Sequence, residues 1–242
     1  MELIVLGNNG PYPAPYGATA GYLVRTDEGF VALDMGSGVF SRIGKLCNPE
    51  AISAVVLSHL HYDHISDMGV FNYYLEQLHK KKKFSGRITC YVPPVVSDIA
   101  KLEAAYPYFR FVGVKAEGNF RFAGLKAEFC KLNHGAVNYG VRLTEEKSGR
   151  KLVYSGDTNV CPNLEKLLSK CDLWLGGAPF IGKEYKKDGG HLSVEVMENL
   201  AVRFGVKAVL THLWPMHTER EYQSALLEKC VEIATPFKSY NV

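Results

Sequence analysis

The stretch Leu57-Ser58-His59-Leu60-His61-Tyr62-Asp63-His64 packs three histidines and one aspartate into six positions. Imidazole and carboxylate together make a donor set that suits zinc, and also manganese or iron. Two imidazoles one residue apart point the same way from extended backbone, because side chains alternate with a period of two. His59 and His61 are therefore candidates for one ion, and Asp63 and His64, one turn on, for a second. The whole chain has only eight histidines, so this density is hard to ascribe to an ordinary polar loop. The cluster also follows directly on the apolar run Ala54 to Leu57, where a strand passes into a loop and a rigid scaffold presents functional groups.

Further along come Asn133-His134-Gly135, Tyr154-Ser155-Gly156-Asp157-Thr158 and Leu210-Thr211-His212-Leu213, with Leu33-Asp34-Met35-Gly36-Ser37-Gly38 ahead of the cluster. Taken singly, His134 and His212 read as hydrogen-bonded buried histidines, and Asp157 as a turn or cap residue. Taken in order, the series resembles the metallo-β-lactamase superfamily over most of the chain, from Asp34 to His212. The resemblance implies one α/β domain over residues 1–242. Its fold would be a four-layer αβ/βα sandwich, with two mixed sheets face to face, helices outside and the site at one edge between the sheets. It also implies two divalent metal ions, zinc first, with manganese or iron as alternatives. His59, His61 and His134 would hold one ion, Asp63, His64 and His212 the other, with Asp157 bridging and Asp34 organising the loops. Asp63, Asp157 and His191 form the expected catalytic set.

Two divalent ions roughly 3.5–4 Å apart can share a water, lower its pKa toward neutrality and stabilise charge on the attacked and leaving oxygens. That chemistry serves phosphodiesters, thioesters, lactams and lactones alike. An aspartate at the bridging position disfavours a true β-lactamase. Gly189-Gly190-His191-Leu192-Ser193 resembles the additional histidine of the ribonuclease Z-like phosphodiesterase branch. There it stabilises the transition state or donates a proton, which suits a histidine near its ordinary pKa. The adjoining helix start is expected to add amide donors for an anion, whereas the plainer reading is a capping or packing role. The opening Gly7-Asn8-Asn9-Gly10-Pro11-Tyr12-Pro13 resembles the same branch. Asp157 follows His134 by only 23 residues, too few for the long tRNA-gripping arm of ribonuclease Z.

The first reading is a phosphodiesterase for small or single-stranded phosphodiesters, cyclic nucleotides or nucleotide-derived esters. The alternatives are an armless ribonuclease Z-like endoribonuclease, whose RNA would need a grip from Lys80, Lys81, Lys82 and Lys83, and a thioesterase or lactonase with an apolar pocket. A non-catalytic metal-binding or redox module ranks last. Homodimers are common in that branch. Tyr12, Tyr16, Phe180, Lys183, Tyr185 and Trp214 are rim candidates, each equally readable as loop packing.

These residues need a scaffold, and the composition supplies one: 47% of the 242 residues are hydrophobic. Twenty-eight basic residues against 25 acidic give a net charge of +3. The pI near 8.4 falls short of a dedicated nucleic-acid binder. The lysine run lies within a polar interruption from Gln77 to Gly86, and such a run is usually a solvated face. No signal peptide or membrane-length apolar run is evident, and the six scattered cysteines read as reduced thiols, so the expected compartment is the cytoplasm, with no membrane partner. Strand-like runs recur at Leu3 to Leu6, Tyr22 to Val24, Phe30 to Leu33, Ala54 to Leu57, Ile88 to Val92, Tyr139 to Leu143, Leu152 to Tyr154 and Ala208 to Leu210. A helix is expected over Val194 to Phe204, capped by Ser193 and stopped by Gly205. Another is expected from Thr218, whose spacing to Glu221 makes a capping box, with Tyr222, Leu226, Cys230 and Ile233 facing the core.

Overall fold

Strand β1 (Glu2–Gly7) is apolar on both of its faces. Leu3 and Val5 enter one core cluster, while Ile4 and Leu6 enter another. A strand apolar on both faces must be covered on both, and the architecture answers that need. The computed structural model describes residues 1–115 and 118–242. Further strands are β2 (Gly21–Thr26), β3 (Gly29–Leu33), β4 (Ile52–Val56), β5 (Ile88–Val92), β6 (Phe109–Gly113) and β7 (Phe120–Phe122). They continue with β8 (Leu125–Leu132), β9 (Asn138–Glu145), β10 (Lys151–Tyr154), β11 (Leu173–Gly177), β12 (Lys207–Thr211), β13 (Val231–Ile233) and β14 (Ser239–Asn241). They form two mixed seven-stranded sheets, ordered β14-β1-β2-β3-β4-β5-β6 and β13-β12-β11-β10-β9-β8-β7.

The helices are α1 (Val39–Ile43), α2 (Tyr62–Ile65), α3 (Met68–Lys80), α4 (Val96–Ala105), α5 (Pro162–Leu168), α6 (Val194–Phe204) and α7 (Glu219–Ala225). Val24, Leu33 and Val56 of one sheet face Phe129, Leu143 and Leu175 of the other in the central core. Phe71, Leu75 and Leu102 cover the outer face of the first sheet, and Leu167, Met197 and Leu200 that of the second. The result is the expected four-layer αβ/βα sandwich. Truncating a fully buried anchor such as Phe71 to alanine would cost about 3–5 kcal/mol.

Local signals hold well. Ser193 Oγ accepts the Val196 amide, Gly205 closes α6 with φ 63°, and Thr218 and Glu221 form the capping box of α7. The helix expected to continue after Tyr222 is corrected, because α7 ends at Ala225 and Val231–Ile233 joins β12 as a parallel strand, although Leu226, Cys230 and Ile233 do pack into the core. The reason is tertiary. The buried Glu198 carboxylate on α6 accepts the amides of Leu227 and Glu228, both at 2.7 Å, and draws the chain out of the helix. The polar interruption from Gln77 is corrected too, because Gln77 to Lys80 are the last residues of α3. The eight recurring runs fall on β1 to β5, β9, β10 and β12, whereas β6, β7, β8, β11, β13 and β14 escaped, β8 because Lys126, Glu128 and Lys131 interrupt its apolar residues. The residues between His134 and Asp157 are taken up largely by the antiparallel pair β9 and β10 and its turn. Among the described residues no helix is long and apolar enough to cross a membrane.

Strands β3 and β4 run parallel, as do β10, β11 and β12. Open α/β sheets bind ligands beyond the carboxyl ends of such strands. Asp34, the His59 to His64 cluster, Asp157, His191 and His212 lie at these ends or in the loops that follow, while His134 follows β8, whose partners β7 and β9 are antiparallel to it.

Candidate metal centre and active site

Asp34 follows β3 with φ 56°, a left-handed conformation that aspartate tolerates better than most residues. Its fully buried carboxylate accepts four hydrogen bonds. Oδ1 takes the Ser58 amide at 2.7 Å, and Oδ2 takes Ser58 Oγ at 2.7 Å, His64 Nδ1 at 2.6 Å and Tyr154 Oη at 2.5 Å. These bonds set the ring tautomers. Because the Ser58 hydroxyl donates to Asp34, its oxygen accepts from His59 Nδ1 at 3.1 Å, and His59 Nε2 is left as a lone pair. His134 Nδ1 donates to the Gly190 carbonyl at 3.0 Å, so its Nε2 is likewise a lone pair.

Three ring nitrogens therefore converge. His61 Nδ1 lies 3.0 Å from His59 Nε2 and 3.3 Å from His134 Nε2. A single N–H cannot satisfy three mutually facing nitrogens, whereas one cation can. Beside them, His212 Nε2 lies 3.1 Å from Asp63 Oδ2 and 3.0 Å from Asp157 Oδ2. His64 Nε2 lies 3.4 Å from each of the same oxygens. Asp157 Oδ2 joins the two halves, being also 3.9 Å from His59 Nε2. His59, His61 and His134 form one trio able to hold a metal, and Asp63, His64 and His212 another, with all donor atoms of each trio within 4.8 Å. The donors also fit metals by what they lack: His64 Nε2 and Asp157 Oδ1 are buried without a hydrogen-bond partner, a costly condition for polar atoms.

The electrostatics follow from burial and from these contacts. Burial, followed by the nearby His64, pushes His59 far down, and burial with His134 pushes His61 down, so both are neutral. Burial opposes charge on His212, but Asp157, with hydrogen bonds to Asp157 and Asp63, drives it up to about 9. His64 is raised likewise by Asp157 and Asp34 against its burial. Burial would raise the Asp157 carboxyl, yet His212 and His64 hold it well below the usual range.

His191 joins the cluster, with Nδ1 3.8 Å from Asp157 Oδ2 and buried without a partner. One expectation about it is corrected. Its pKa is not ordinary: burial, despite the opposing pull of Asp157, lowers it to about 4, so the ring is neutral at pH 7. Of the first amides of α6 two are already engaged, because Val194 N–H donates to Phe180 O and Val196 N–H to Ser193 Oγ. Of the rim candidates, Phe180 and Trp214 line a cavity of about 310 Å³ with Pro11, Pro179, His191 and His212. Tyr185 instead donates to Asn159 Oδ1, while Tyr12, Tyr16 and Lys183 are exposed. Lys80 ends α3, which starts beside the His cluster and runs 13 residues, so the lysine run lies roughly 20 Å from the site.

Sequence reasoning placed Gly10 in the opening motif without its contact to His212, and missed Asn159. Gly10 lies so close to His212 that a Cβ would sit 2.1 Å from Nε2. The Asn159 amide contacts the carbonyls of Lys186, Lys187 and Gly189, shaping the loop that delivers Gly190 and His191. Nothing in the local sequence marks either contact.

A metal-binding hydrolase site on an αβ/βα sandwich is the class that fold and geometry define. A family model described as "Beta-lactamase superfamily domain" matches residues 37–217. The chain belongs to the metallo-β-lactamase superfamily, close to its ribonuclease Z-like and phosphodiesterase branch, and is a metal-dependent hydrolase. It is 25% identical over 219 residues to the probable metallo-hydrolase YhfI of Bacillus subtilis, covering 88% of this chain and 87% of that protein. The crystal structure of YhfI superposes with a TM-score of 0.90 at 22% identity, covering 99% and 98% of the two chains. Ribonuclease Z of Pyrococcus furiosus is 24% identical over 288 residues, covering 98% of this chain and 94% of that enzyme. A diphosphatase of the PhnP family shares the fold at a TM-score of 0.77 and 16% identity, covering 100% and 97%.

Proposed function

We propose that this chain is a dinuclear phosphodiesterase acting on small or single-stranded phosphodiesters, such as cyclic nucleotides or nucleotide-derived esters. His59, His61 and His134 would hold one divalent ion, Asp63, His64 and His212 the second, and Asp157 would bridge them. Zinc suits these nitrogen and oxygen donors best, with manganese and iron as alternatives. Two ions so held supply an acidified water and positive charge against the attacked and leaving oxygens. Asp34 keeps the rings of His64 and, through Ser58, His59 in register, and the Gly190 carbonyl does the same for His134.

The observation that carries the phosphate reading is His191. Neither trio needs it, yet its Nδ1 lies 3.8 Å from the shared Asp157 oxygen. A neutral imidazole there can donate an N–H to a phosphoryl oxygen or take up a proton. Among the relatives, the ribonuclease and the diphosphatase act, by their names, on phosphate linkages. The ribonuclease alignment runs over 288 positions against 242 residues here, so that enzyme carries segments this chain lacks. Together with the distance of Lys80 to Lys83 from the site, this favours a small substrate over a folded RNA.

A thioesterase or lactonase is the second reading, favoured by the apolar side chains of Pro11, Pro179 and Phe180 in the adjoining cavity. The test is a metal-reconstituted assay of wild type and His191→Ala on bis(p-nitrophenyl) phosphate, a thioester and a lactone. Turnover of the phosphodiester alone, lost in His191→Ala with metal content intact, is the expected result. Preference for a thioester or lactone, with His191→Ala unaffected, would refute the phosphodiesterase.

A further inference from the structure

Tyr222 is almost fully buried on α7, yet its hydroxyl is doubly committed. It accepts the Trp214 amide at 2.8 Å and donates to the Pro179 carbonyl at 2.6 Å. One side chain thus ties together the loops that follow β11 and β12, and the cavity of about 310 Å³ opens between them. Its Pro11 wall is held as firmly, because Gly10 N–H donates to Leu213 O and Leu213 N–H to Asn8 O. Phe180 and Trp214 stand nearly perpendicular, at 85° with centroids 6.1 Å apart, and Phe180 meets His191 at 83° and 5.7 Å. Apart from two imidazoles and the indole N–H, the lining side chains are apolar.

We infer that this cavity is the subsite for a flat aromatic group of the substrate, namely the base of a nucleotide ester, stacked on Phe180 or Trp214 with its phosphoryl group at His191 and His212. The inference rests on the phosphodiesterase reading and names its substrate class. The cavity is at the small end of ligand pockets, which run to roughly 300–1,000 Å³, so it takes one ring system and not a folded polymer. Preformed aromatic walls bind every base, because each base has a π-face. No carboxylate or amide side chain lines the cavity to read base edges. The enzyme should therefore discriminate weakly among bases and strongly against esters that have none.

The test compares kcat/KM of the metal-loaded protein for adenosine 3′,5′-cyclic phosphate and for the same cyclic ester of methyl riboside, which has no base. Stacking predicts a preference of roughly 5- to 150-fold for the base-bearing ester. The preference should fall toward one in Trp214→Ala or Phe180→Ala and return in part in Trp214→Phe. A wild-type ratio of one, or a ratio unchanged by both alanine variants, would overturn the subsite. Binding is read separately, by adenosine quenching of Trp214 fluorescence; the only other tryptophan, Trp174, is fully buried. If neither these esters nor bis(p-nitrophenyl) phosphate is cleaved, the phosphodiesterase reading falls, and quenching that is lost in Trp214→Phe and weakened in Phe180→Ala still upholds the subsite. Absence of quenching, or equal competition by hexanoate, overturns it.

Discussion

Replacing Asp34 by asparagine keeps the side-chain shape and a residue tolerant of φ 56°, but removes the charge and one acceptor. The asparagine amide has one oxygen and one NH₂ group. Set with its NH₂ at the Oδ2 position, it would oppose three donors, from Ser58 Oγ, His64 Nδ1 and Tyr154 Oη. Set the other way, it opposes only the Ser58 amide, a backbone donor that cannot rotate aside. The second arrangement costs less, leaving one buried donor unsatisfied at about 1–3 kcal/mol. For a domain of this size that lowers Tm by roughly 2–12 °C. The functional effect should be larger. Outer partners of metal-binding histidines are worth about 10- to 100-fold in metal affinity or activity, and here one carboxylate serves His64 directly and His59 through Ser58. Affinity is measured by competition with a chromophoric chelator, and stability by thermal melts of the same samples. Metal affinity equal to wild type, with only the melt shifted, would reduce Asp34 to a core-packing residue. An equal affinity loss in Tyr154→Phe, which removes a single donor, would refute the reasoning in the same way.

Metal loading should be coupled to pH. His212, raised to about 9, and His64, also raised, hold protons in the metal-free site that an ion must displace. Affinity should therefore climb as pH rises toward 9, with proton release at pH 7 detected by calorimetry in buffers of different ionisation enthalpy; no release would contradict it. The sign for stability is opposite. A pKa raised above the unfolded value of about 6.5 makes the His212 contribution to metal-free protein complete below that pH and lost as pH rises through about 9. In Gly10→Ala the added Cβ collides with the His212 ring, and a displacement near 1 Å can cost about 100-fold in rate. Wild-type turnover in that variant would mean that the loop simply yields. Replacing Lys80, Lys81, Lys82 and Lys83 together by glutamine should leave turnover of bis(p-nitrophenyl) phosphate and its salt dependence at wild-type values. A flattened salt slope would return those lysines to the substrate path.

What could be read from the sequence was chemistry within a few residues along the chain. The spacing of His59, His61, Asp63 and His64 declares a donor cluster, Ser193 and Gly205 declare the ends of α6, and Thr218 with Glu221 declares the start of α7, because such interactions close over one helical turn or one strand period. Periodicity indicated only a mixed α/β chain, and the sandwich came from the resemblance of the ordered motifs to a known superfamily. Tertiary structure decided everything that depends on burial or on distant partners. Asp34 meets Tyr154 across 120 residues, Asp63 meets His212 across 149, and Glu198 ends α7 from another helix. The lowered pKa of His191, the engaged amides of Val194 and Val196 and the aromatic cavity joined through Tyr222 belong to the same kind. Periodicity reports which face of an element is apolar, but desolvation and hydrogen bonding depend on what is packed against that face, and only the folded chain supplies it.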